Sequence, residues 1–144
     1  MADQVNAGLR GLRDPLVVAA FSGWSDAGNA ASAAVEHLAE AYQAELAYEL
    51  DPDEFYDYQV NRPEVSLSED GERRITWPTT RIATARLVGG RDLILVDGIE
   101  PNLRWRSFCA ELVGHAERLG VTLVAFARGD RLTVCTHPGR VATA

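Results

Sequence analysis

Ser22-Gly-Trp-Ser-Asp-Ala-Gly28 and Asp97-Gly-Ile-Glu-Pro-Asn102 are the two stretches whose residue types can do chemistry. Each follows an apolar run, where an α/β sheet keeps its ligand crevice, outside the C-terminal end of a strand. In the first, Gly23 and Trp24 sit at a tight turn, and backbone N–H groups at the start of the next helix can hold an anion. The stretch lacks the second and third glycines of a dinucleotide fingerprint. Ser22 and Ser25 flank Gly23 in the wrong arrangement for a nucleophile elbow. The alternative is a plain turn with Trp24 as a lid or an interface anchor. In the second stretch, Asp97 and Glu100 can line the same crevice as Asp26, where clustered carboxylates do acid–base work or bind a cation. Acids at such positions also simply favour the positive end of a helix dipole, and Asn102 is placed to cap the helix that follows.

Asp51 to Arg62 has a different character. Phe55, Tyr56, Tyr58 and Arg62 stand among Asp53, Glu54 and Asp57, the mixture of aromatic anchors and charge found at interface hot spots. The competing reading is a loop that packs into the core. His37 and His115 fall within helical patterns and read as solvated, and His137 lies near the end; none has neighbours that suggest a triad or a metal site. Cys109 and Cys135 have no metal-ligand spacing and form no disulfide framework, and Cys109 reads as a small buried hydrophobe on a helix. No metal and no cofactor is expected.

The elements that must position these residues follow from periodicity. Pro15 to Phe21 reads as a strand buried on both faces. The alanine-rich stretch to Tyr42 puts Ala31, Ala34, Val35, Leu38, Ala41 and Tyr42 at helical spacing, with Ser25 or Asp26 as its cap. Glu45 to Leu50 reads as a second strand. Val65 and Leu67, the hairpin signal Asp70-Gly71, and Arg74 to Trp77 make an antiparallel hairpin that stops at Pro78. Arg81 to Leu87 is a further strand, and Arg91 to Gly98 the clearest buried one. Trp105, Phe108, Cys109, Leu112, Ala116 and Leu119 form one helical stripe stopped by Gly120, and Val121 to Ala127 is expected as another buried strand. Strands alternating with helices imply a parallel or mixed sheet with right-handed crossovers. Three segments follow: a flexible lead-in at 1–14, an α/β domain at 15–127, and an atypical tail at 128–144.

The 144 residues have the apolar and charged content of a globular protein. A net charge of −7 argues against nucleic acid and against an anionic membrane surface. All 14 basic residues are arginine, which excludes a P-loop lysine and Schiff-base chemistry. Met1 to Arg13 carries no signal-peptide pattern, so a cytoplasmic protein is expected.

Phe21-Ser-Gly-Trp-Ser-Asp-Ala-Gly28, Tyr56-Asp-Tyr-Gln-Val-Asn-Arg-Pro63, Arg74-Ile-Thr-Trp-Pro78 and Gly98-Ile-Glu-Pro-Asn-Leu-Arg-Trp105, in this order and spacing, resemble the actinobacterial branch of the proteasome assembly chaperone 2 family. The similarity runs from about Pro15 to Phe126. It implies a three-layer α/β/α sandwich like that of nucleoside phosphorylases, homo-oligomers, and a protein partner, with proteasome α-subunits the implied one. Two departures stand beside it. Members are usually about twice as long, and after Arg128 the sequence switches abruptly to an Arg-, Thr- and Gly-rich tail, read as the mark of a frameshift or early stop. The chain also ends Val-Ala-Thr-Ala, without the hydrophobic–tyrosine–any tail by which archaeal relatives engage the proteasome. A protein-binding, chaperone-like role without catalysis is therefore the leading expectation, and an enzyme or small-molecule binder using the crevice is the rival.

Overall fold

Strand β6 (Asp92–Ile99) organises the protein. The structure is a computed structural model that describes residue 9 and residues 11–68, 70–128 and 131–140. Its main sheet has the order β1-β6-β5-β2, with β1 Leu16–Ser22, β2 Glu45–Glu49 and β5 Thr80–Arg86. Only β1 and β6 run parallel; β5 is antiparallel to both β6 and β2. The expected mixed sheet is thus present, with β1 and β2 at opposite edges and the β5–β6 pair inserted between them.

Alternation along β6 divides the core. Leu93 and Leu95 join a cluster with Ala20 and Val35, whereas Ile94 and Val96 join a larger one with Phe55, Tyr56, Ile82 and Phe108. Side chains of a strand point alternately to opposite faces, so each cluster occupies one side of the sheet. Helix α1 (Ala30–Ala41) lies over β1 and β6 on the first side. The short helix α2 (Pro52–Phe55) and helix α3 (Trp105–Arg118) close the second. Between β2 and β5, strands β3 (Glu64–Leu67) and β4 (Arg73–Thr76) form a separate hairpin, as Asp70-Gly71 predicts, with Gly71 at φ 79°.

Several expectations change. Strand β7 (Val124–Arg128) does not enter the main sheet; it pairs antiparallel with β8 (Arg131–Val134) in a sheet of its own. Thr136, buried, ties this pair back: its hydroxyl donates to the Val121 carbonyl at 2.5 Å and accepts from Leu123 N–H at 2.8 Å. The boundary drawn after residue 127 therefore falls inside a hairpin. Leu9 and Leu12 pack on the larger cluster and Arg13 N–H donates to Asp92, so the lead-in read as flexible is docked over these residues.

The helices are also rotated from the simple stripes. On α1 the buried residues are Ser32 and Val35, while Ala31, Ala34 and Ala41 are exposed and Tyr42 stays half out. On α3 the inward side chains are Phe108 and Ala116; Cys109 is exposed and Trp105 touches Phe108 only by its edge. Asn102 does not cap α3. The cap position is Arg104, and the Asn102 side chain instead accepts from Asp57 N–H at 2.8 Å.

Candidate functional site

The strands β1 and β6 end side by side, and the loops that leave them build the site. Asp26 accepts from Ala31 N–H at 2.8 Å, from Ser32 N–H at 3.3 Å and from the Ser32 hydroxyl at 2.5 Å. It thereby satisfies backbone donors that open α1, although the formal cap is Asn29 in the left-handed conformation. These bonds, the Ser32 hydroxyl first, hold its carboxyl below the usual carboxylate range. Ser25 does not cap; its N–H donates to the Glu100 carboxylate at 3.1 Å. Glu100 crosses under Gly23, where a Cβ would lie 2.9 Å from that carboxylate. Gly23 also sits at φ 152°, a conformation few other residues adopt.

Beside these loops is an open crevice of about 460 Å³, lined by Ser22, Ser32, Glu36, Arg62, Trp77 and the cross-strand pair Arg81 and Asp97. Of the three acids expected to share a crevice, Asp97 alone lines it; Asp26 and Glu100 are held by backbone N–H groups. Burial pushes the Asp97 carboxyl up, the Glu36 charge adds to this, and Arg81 opposes it. Arg81 itself pairs with Glu49 at 3.2 Å. The crevice can therefore hold a polar or charged group, and its Ser32 hydroxyl is bonded to the Asp26 carboxylate, which two backbone N–H groups also engage. Trp24, considered as a lid, covers nothing: it is 98% exposed.

The family model for PAC2, described as the PAC2 family, matches residues 20–139. The chain belongs to the PAC2 family. Among solved structures it is similar to a PAC2 family protein from Streptomyces avermitilis, with 56% identity and a TM-score of 0.70 over 76% of this chain and 47% of that one. A proteasome-assembly chaperone homologue from Mycobacterium tuberculosis is 49% identical, with a TM-score of 0.66 over 74% of this chain and 45% of that one. The archaeal proteasome activator PbaB from Pyrococcus furiosus shares the fold at 18% identity, with a TM-score of 0.56 over 78% of this chain and 44% of that one. The chain spans about half the length of these relatives. No curated protein matches it.

In this PAC2 chain the segment expected to recognise a partner is split in two. Phe55 and Tyr56 are each 2% exposed and belong to the core, which corrects their reading as contact residues. Phe55 meets Phe108 edge to face, and the Tyr56 hydroxyl bonds Thr80 Oγ1 at 2.7 Å and donates to the Ile99 carbonyl at 3.0 Å. Tyr58 lies nearer the surface, with its ring on Trp77 and its hydroxyl donating to Asp53, a bond that pushes its pKa up to about 12. Arg62 is exposed on the crevice wall. His115 departs from the solvated reading too: it faces Tyr48, and burial lowers its pKa. Trp77 and Arg81 were not singled out from the sequence. The period-two pattern that ran on to Trp77 carried the signal, and Trp77 follows directly on the end of β4.

Proposed function

We propose that this PAC2 family chain is a protein-binding, assembly-chaperone-like protein that acts by covering a partner's exposed assembly surface, with proteasome α-subunits as the partner. Its similarity to the proteasome-assembly chaperone homologue, at 49% identity, carries the reading. Exposed aromatic surface supports it: Trp24 stands fully out, and Trp77, met edge to face by Tyr58, lines the crevice together with Arg62. Asp26 and Glu100 serve the loop backbone, which favours this role over a crevice enzyme. The proposal includes a sandwich of the nucleoside phosphorylase kind, self-association, and a cytoplasmic site of action. No described helix is long and apolar enough to cross a membrane.

Light scattering on a sizing column, with the chain alone and then with α-subunits of the same organism, tests the proposal. A defined mixed species that is weakened by Trp24→Ala and Arg62→Ala, at unchanged melting temperature, is the expected result. A chain that ignores α-subunits overturns the assignment of partner.

A further inference from the structure

Every residue of strands β3 and β4 is exposed, on both faces of the pair. In its register Val65 lies opposite Ile75 and Leu67 opposite Arg73, so these four side chains share one face. Val65, Leu67 and Ile75 are 66%, 71% and 57% exposed. A lone two-stranded hairpin is marginal in water and needs a further strand or a packed face to persist. This hairpin has an apolar face and nothing on it within the described chain. The only charge on that face is positive, Arg73; Glu64 lies on the opposite face and Asp70 and Glu72 in the turn.

The same chain carries an apolar surface of complementary charge. Helix α1 stops short of β2, and beside it a groove of about 570 Å³ runs over β5 and β2. Its floor is Ala39, Ala44, Leu46 and Ala83, with Leu46 59% exposed on an edge strand. Its rim carries Glu36, Glu40 and Glu49, and the one arginine there, Arg81, is already paired with Glu49. An apolar strip with one arginine fits an apolar trough rimmed by glutamates.

We propose that the apolar face of the β3–β4 hairpin of one copy seats in the groove between α1 and β2 of a second copy, with Arg73 at the Glu36–Glu40 rim. The contact repeats either reciprocally in a two-fold dimer or head to tail around a closed ring. This rests on the proposed self-association and gives it a surface; it does not depend on the identity of the proteasome partner.

The test is light scattering on the chain alone. The wild type is expected to run as a defined oligomer, and Ile75→Glu and Leu46→Asp are each expected to run as folded monomers. Arg73→Glu and Glu40→Arg should each shift mass toward monomer, and the double variant should restore the oligomer, which a folding defect cannot do. A monomeric wild type overturns the proposal, as does an Ile75→Glu or Leu46→Asp chain that keeps the wild-type mass. If the wild type is monomeric and the hairpin variants lose only α-subunit binding, the hairpin belongs to the partner and self-docking is wrong, while the chaperone reading stands.

Discussion

Asp26 illustrates how a residue of catalytic type is used for structure. Three donors at the start of α1 stabilise its charged form, so its folded pKa lies below the ordinary 3.8. A depressed acid adds stability that is present above its unfolded pKa and is lost as pH falls through the folded value. Melting temperature against pH should therefore separate wild type from Asp26→Asn at neutral pH and bring them together in strong acid. A constant gap across that range would mean that shape, and not charge, matters here. Within the aromatic segment the effects should split by burial. Phe55→Ala should cost about 3–5 kcal/mol, as a buried ring does when truncated. Tyr56→Phe should cost about 1–3 kcal/mol, because it leaves the Ile99 carbonyl and Thr80 hydroxyl without their partner. Tyr58→Phe should leave urea midpoints nearly unchanged, since its hydroxyl bond to Asp53 is exposed. Equal losses at all three positions would contradict this division.

At the level of elements, β6 packs against β5 so closely at Gly98 that a Cβ there would sit 2.8 Å from Thr80 Oγ1 and 2.9 Å from the Thr79 carbonyl. Both groups belong to the β5 entry, so Gly98→Ala should lower stability well beyond a surface change, read as a shifted denaturation midpoint. Helix α3 brings its own pH dependence. Burial, and then Arg118, lower the His115 pKa against the pull of Glu111. The unfolded state therefore binds the proton more readily, and stability should fall as pH drops below 6.5, while His115→Gln should flatten that slope. These strands and helices were largely legible because β6 and Pro15 to Phe21 are continuous apolar runs and the hairpin keeps period two. Which way a helix faces was not. Alanine is apolar enough to suggest a face on α1 yet small enough to leave exposed, so Ser32, held by Asp26, turned inward in its place. The role of Asp51 to Arg62 was equally open, because aromatic residues suit a hot spot and a core alike. Only the contact of Phe55 with Phe108, far along the chain, decides it. Pairing of β7 with β8 was hidden for a similar reason: an apolar run states that a strand exists, not which sheet takes it.

Across the whole molecule, order should decline outward from β6. Its buried run from Asp92 to Val96 lies between two paired neighbours, whereas the hairpin β3–β4 has neither a third strand nor a covered face. Amide exchange should be slowest in β6 and fastest in 64–67 and 73–76 for a monomeric variant, with the hairpin amides protected only in the assembled form. Equal protection of the hairpin in monomer and oligomer would count against docking at that surface. The sheet order also has a consequence for how the chain is made. Leu16 pairs with Leu93 and Ser22 with Ile99, so β1 has no partner until nearly the whole sheet has been translated. The β5–β6 pair, joined through a turn at Gly89 and Gly90, can close locally as soon as it emerges. At synthesis rates of about 5–20 residues per second, β1 and α1 wait on the order of several seconds outside the ribosome before their site exists. Closing so long a loop is slow, and an apolar strand left unpaired meanwhile is open to other chains. Strand β1 therefore has to stay clear of other chains until β6 has been made.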